Sequence, residues 1–60
     1  MNIRRDTVAI YLDRAGQWRW RRTTPNGNII AESGEGYNNQ RFCTEMAKRI
    51  NKRAKFEVQP

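Results

Sequence analysis

Sixty residues with one cysteine, Cys43, and no histidine exclude a disulfide-stapled fold and offer no zinc site. Twelve Lys and Arg against six Asp and Glu leave a net charge of +6, which favours acidic partners, nucleic acid or an acidic protein surface, without choosing between them. No stretch reaches the ~20 apolar residues needed to span a bilayer. The charged run Met1 to Asp6 does not read as a secretory signal, so the expected location is cytoplasmic, where a lone thiol stays reduced.

A domain this short buries only ~60% of the surface that its unfolded chain exposes. With neither disulfide nor metal to compensate, association is the remaining route to stability, so residues 1–60 are expected to form one domain that pairs as a homodimer.

In chain order, Thr7 to Leu12 alternates, with Val8, Ile10 and Leu12 on one face and Thr7, Ala9 and Tyr11 on the other. That is the pattern of a half-buried strand. Asp13-Arg14-Ala15-Gly16 supplies turn chemistry, and Gln17 to Thr23 alternates again, Trp18 and Trp20 opposite Arg19 and Arg21. Thr24-Pro25-Asn26-Gly27 is a second turn, whose Asn-Gly pair accepts the positive φ of tight hairpins. Asn28 to Ser33, with Ile29-Ile30-Ala31 at its centre, is a third strand.

Ser33-Gly34-Glu35-Gly36-Tyr37 redirects the chain, with Tyr37 pinning the helix start and Glu35 bonded locally or to Arg41; Asn38 or Asn39 can cap the helix. From Asn39 to Ala54 the period is helical. At ~100° per residue, Phe42, Met46, Ile50, Cys43, Ala54 and Ala47 fall within ~140°, a stripe suited to lying on a sheet. The Phe42–Met46–Ile50 side is expected to roof the sheet, with Trp20 in the core against Phe42 and Met46. Arg53 lies near the edge of that stripe, where it either snorkels or joins a subunit contact, and Lys52, Arg53 and Lys55 suit the negative end of the helix. Phe56-Glu57-Val58 leaves room for a short C-terminal strand. The expected class is α+β: a three-stranded antiparallel meander followed by one helix (β-β-β-α).

The ordered set Ile10-Tyr11, Asp13, Gly16, Arg19-Trp20-Arg21, Asn26-Gly27, Ile29-Ile30-Ala31 and Ser33-Gly34-Glu35-Gly36-Tyr37 resembles the YegP-like family of small bacterial and archaeal domains. The resemblance spans about Val8 to Ile50. It implies a β-β-β-α unit that works in pairs, two copies in one chain or two single-copy chains, and it supplies no catalytic residues. Ala9 stands where the family commonly has a carboxylate, Leu12 where it has lysine, and Arg22 where it has an apolar residue. A charge at Arg22, on the face of Trp18 and Trp20, marks an altered subunit contact or a patch specific to this chain.

Trp18-Arg19-Trp20-Arg21-Arg22 is the most suggestive run, since rings interleaved with guanidinium groups serve single-strand binders. The strand period nevertheless sends Trp and Arg to opposite faces. Trp18 then belongs to the core or a dimer contact, together with Leu12. Tyr11, Arg19 and Arg21 line the outer face, where guanidinium-on-ring stacking is available. Arg41, Lys48, Arg49 and Lys52 make a basic helix stripe. The glycine loop is no phosphate cradle, because Glu35 sits in it and no Lys-Ser/Thr pair follows. Catalysis lacks a histidine, paired carboxylates and an exposed thiol.

The function expected is a non-enzymatic, homodimeric binding module. Its candidate partner residues are Tyr11, Arg19, Arg21, Arg22, Arg41, Lys48 and Lys52, and its candidate dimer contacts Leu12 and Trp18. The partner is an acidic macromolecule, foremost nucleic acid, with no cofactor, membrane or small-molecule substrate. The alternative is a small protein–protein effector, encoded by a mobile element or phage, that inhibits a host complex.

Overall fold

The computed structural model describes residues 4–59; the rest of the charged run read at the N-terminus lies outside the described residues. Strands β1 (Asp6–Leu12), β2 (Trp18–Thr23) and β3 (Ile29–Glu32) precede helix α1 (Gln40–Ile50), and β4 (Ala54–Val58) follows it. They form a four-stranded sheet in the order β3-β2-β1-β4. Strands β1 and β2 are antiparallel, with Ile10 opposite Trp20 and Val8 opposite Arg22. β2 and β3 are antiparallel with an irregularity between Arg22 and Thr23. β4 runs parallel to β1, Val8 opposite Phe56, so the C-terminal strand exists and makes the sheet mixed.

Alternation along β1 and β2 places Val8, Ile10 and Trp20 beneath the helix, all at most 4% exposed. The turns carry the expected chemistry. Gly16 and Gly27 have φ of 81° and 93°, values at which a side chain is strained. Ser33 follows β3 and stays attached to β2: its N–H donates to the Trp20 carbonyl at 2.9 Å, and its Oγ accepts from the Trp20 N–H at 3.2 Å.

The helix corrects two expectations. It ends at Ile50, not Ala54, because Asn51 takes the C-cap in extended geometry and bonds back to the Ala47 carbonyl through both its backbone N–H (2.8 Å) and its side-chain Nδ2 (2.9 Å). Arg53, at φ 55°, then turns the chain into β4. The side facing the sheet is also different. Cys43, Ala47 and Asn51, spaced one turn apart, are buried, whereas Phe42 and Ile50 are 50% and 55% exposed. Small side chains at Cys43 and Ala47 let the helix backbone settle close to bulky Trp20, and the larger residues are displaced to the flank. Trp20 is a core residue, as expected, but its buried helical neighbours are Cys43 and Ala47.

The N-terminal end of α1 is anchored twice. Asn39 is the N-cap, its Oδ1 accepting from the Phe42 N–H at 3.0 Å, which satisfies one orphan amide. Tyr37 exchanges backbone hydrogen bonds with Trp18, at 2.6 and 2.8 Å. Its ring meets Phe42 edge-on at 5.4 Å. Tyr37 therefore pins the helix to β2. Glu35 makes no ion pair among the described residues; Arg41 turns instead to Glu45, one helical turn on, at 3.7 Å.

Candidate functional site

The residues singled out for partner binding separate onto opposite sides of the sheet. Tyr11, Arg19 and Arg21 share the face away from the helix, Tyr11 directly opposite Arg19 in the register. Arg21 stacks over the Tyr11 ring, its Cζ 4.8 Å from the centroid, and its Nη2 donates to the Tyr11 hydroxyl at 3.3 Å. Its Nε lies 3.4 Å from Glu32 Oε1 on β3, an ion pair without a hydrogen bond.

Arg19 is engaged more fully. Its Nε donates to Asp13 Oδ2 at 2.6 Å, while Asp13 Oδ1 accepts from the backbone amides of Ala15 and Gln17, each at 2.9 Å. The Gln17 N–H, then the Arg19 guanidinium, hold the Asp13 carboxyl below the usual aspartate range, and Asp13 in turn raises Arg19. One carboxylate thus closes the β1–β2 turn and fixes the first arginine of β2. The outer face holds a pre-stacked guanidinium, but both of its central arginines already face carboxylates.

Arg22 lies, as its strand position implies, on the face of Trp18 and Trp20. It points to the helix side, where its Nε donates to Asp6 Oδ2 at 2.8 Å and its Nη1 reaches Asn51 Oδ1 at 3.4 Å. The unexpected charge is absorbed within the chain, tying β1, β2 and the helix C-cap together. Its side chain stays partly accessible, at 19%, and lines a cleft with Arg53. Arg41, Lys48 and Lys52 are exposed on the helix side. Lys48 leans over the Phe56 ring, its Nζ 5.8 Å from the centroid. Of the dimer candidates, Leu12 is 51% exposed, whereas Trp18 packs partly buried against the core. Burial pushes the Cys43 thiol up, away from the thiolate that nucleophilic chemistry needs.

Reading the sequence missed a third group of cations. Arg4 and Arg5 enter β1, Thr23 and Thr24 leave β2, Arg53 precedes β4 and Lys55 lies near its start, paired with β1, all at one end of the sheet. Two clefts open there, one on each face, of about 630 and 600 Å³, and Arg4 and Arg5 wall both. Two positional signals were available: charged residues flanking strand ends, and a basic run after the helix. Neither shows that the two termini of the fold meet.

No described helix is long and apolar enough to cross a membrane, and no cluster of three His, Cys, Asp or Glu suited to a metal ion occurs among the described residues. A comparison with curated proteins finds no match. A solved structure that the chain resembles is the NMR solution structure of a protein from Haloferax volcanii, 36% identical, covering 78% of this chain and 83% of that one, with a TM-score of 0.67. The profile of the family described as "Domain of unknown function (DUF1508)" matches residues 13–55. With a match over more than half its length and a similar fold in that relative, the chain belongs to this family of YegP-like domains.

Proposed function

We propose that this chain is a non-enzymatic, cytoplasmic binding module that acts as a homodimer and holds an acidic macromolecule, nucleic acid in the first place. The observation that carries the proposal is the pairing of its charges. Four of the twelve basic side chains, Arg19, Arg21, Arg22 and Arg41, face carboxylates. The other eight make no ion pair among the described residues. Uncompensated cations at that density on a 7.1 kDa body create a field that draws polyanions from every approach.

The case for a pair comes from the apolar side chains. Leu12, Ile29, Ile30, Phe42, Ile50 and Val58 are all at least 50% exposed, while only Val8, Ile10 and Trp20 among the large ones are buried. Phe42 and Ile50 share one helix, and an apolar flank of this kind is a surface that a subunit contact can cover. Strands β3 and β4 also end the sheet with unpaired edges among the described residues. A second copy covering the Phe42–Ile50 flank supplies the missing layer.

A mobility-shift assay with single-stranded and duplex DNA and RNA tests the function. Complexes are expected at low salt that dissociate at moderate salt, because phosphate neutralisation releases counterions. Failure of every nucleic acid to shift at low salt would reject the nucleic-acid proposal.

A further inference from the structure

We infer that the nucleic acid is held at the sheet end where both clefts meet, with Arg4, Arg5, Arg53 and Lys55 contacting successive backbone phosphates. This inference rests on the proposed binding of a nucleic acid and assigns it a place. The outer cleft is lined by Arg4, Arg5 and Lys55 with Thr7, Thr23, Thr24 and Pro25, and no carboxylate lines it among the described residues. Guanidinium, ammonium and hydroxyl donors together match phosphodiester oxygens, which take hydrogen bonds from Arg, Lys and Thr alike. The cleft on the helix side adds Arg53. Asp6, its one acid among the described residues, is already engaged at 2.8 Å by Arg22, which also lines this cleft. The four cations make no ion pair among the described residues, in contrast to Arg19 and Arg21 on the outer face.

A second observation is independent of charge. Arg53 is the one non-glycine residue at positive φ among those described, at 55°. That conformation suits glycine or asparagine, and an arginine there is strained. Strained backbone of this kind clusters at binding sites, and here it lies in a cleft wall. Arg53 is exposed and makes no ion pair among the described residues, so the turn into β4 needs its backbone and leaves its guanidinium uncommitted.

Fluorescence anisotropy with a short labelled single-stranded DNA, repeated across a salt series, tests the assignment. The variants are Arg53→Gly, the pair Arg4→Ala with Arg5→Ala, and Arg14→Ala, which removes the same single charge as Arg53→Gly at the opposite end of the sheet. Arg53→Gly is expected to lower the slope of log affinity against log salt by about 0.7, and the Arg4/Arg5 pair by about 1.4. Thermal midpoints are not expected to fall, because glycine relieves the strain at position 53 and residues 4 and 5 precede β1. Arg14→Ala should leave the slope unchanged.

Equal losses from Arg14→Ala and Arg53→Gly would overturn the sheet-end site and leave the proposed function standing. Wild-type protein that binds no DNA at low salt would remove both. Displacement of DNA by an oligoglutamate peptide as readily as by an equally charged oligonucleotide would replace phosphate recognition by general attraction to acid. Inorganic phosphate is expected to compete only as strongly as other salts of the same ionic strength. Tighter competition would mean a free-anion site and overturn the backbone assignment.

Discussion

Asp13 shows how one side chain sets both a turn and a charge. Its two oxygens accept from Ala15, Gln17 and Arg19, so the hairpin loop and the first arginine of β2 depend on one carboxylate. The folded state holds Asp13 ionised to a lower pH than the unfolded chain does. Its contribution is therefore fully present above the ordinary aspartate range of about 4 and is lost as pH falls through the folded value. Thermal melts of wild type and Asp13→Ala should differ at neutral pH and converge as the pH falls below the ordinary aspartate range. An undiminished gap at the acidic end would show that the carboxylate's charge is not what holds the turn. The arrangement was only half visible in the sequence: Asp13 as a turn residue was legible, but its hold on Arg19 depends on a loop closure that composition does not reveal.

At the scale of elements, the placement of the helix depends on a close approach. A Cβ added to Gly36 would lie 2.7 Å from the Cβ of Gln17, an atom fixed by its own backbone. Gly34, two residues earlier, has open space around it. Gly36→Ala should therefore separate the Gly36–Tyr37 segment from β2 and destabilise the fold by about 1–3 kcal/mol. Gly34→Ala should produce no such clash. Chemical denaturation of both variants measures the difference, and equal midpoints would contradict the packing described. The sequence announced strands β1 to β3 because period-two alternation and turn residues are local signals. It misjudged the helix, because an apolar stripe of ~140° is wider than the line that packs, and the stripe alone does not tell which edge of it meets Trp20. The helix end was hidden for a similar reason: Asn51 caps it with Ala47 and also accepts from Arg22, a residue on β2. Strand β4 was faintly readable, since its partner is the parallel and distant β1.

For the whole molecule, the charges and apolar residues divide the labour. Carboxylates quiet the centre of the outer face, the sheet end keeps its cations free of ion pairs among the described residues, and the helix flank stays apolar. The sequence showed that charge was in excess but not where it remained uncompensated, because pairing across strands depends on register. That is why the ion pairs of Arg19, Arg21 and Arg22, and the meeting of Arg4 and Arg5 with Arg53 and Lys55 at one sheet end, were not legible. Sedimentation velocity at micromolar concentration, with and without labelled single-stranded DNA, tests the homodimeric binder most directly. The expected result is a species of twice 7.1 kDa that co-sediments with the DNA at low salt and separates from it as salt rises. A folded single chain that sediments apart from the DNA at low salt would contradict it.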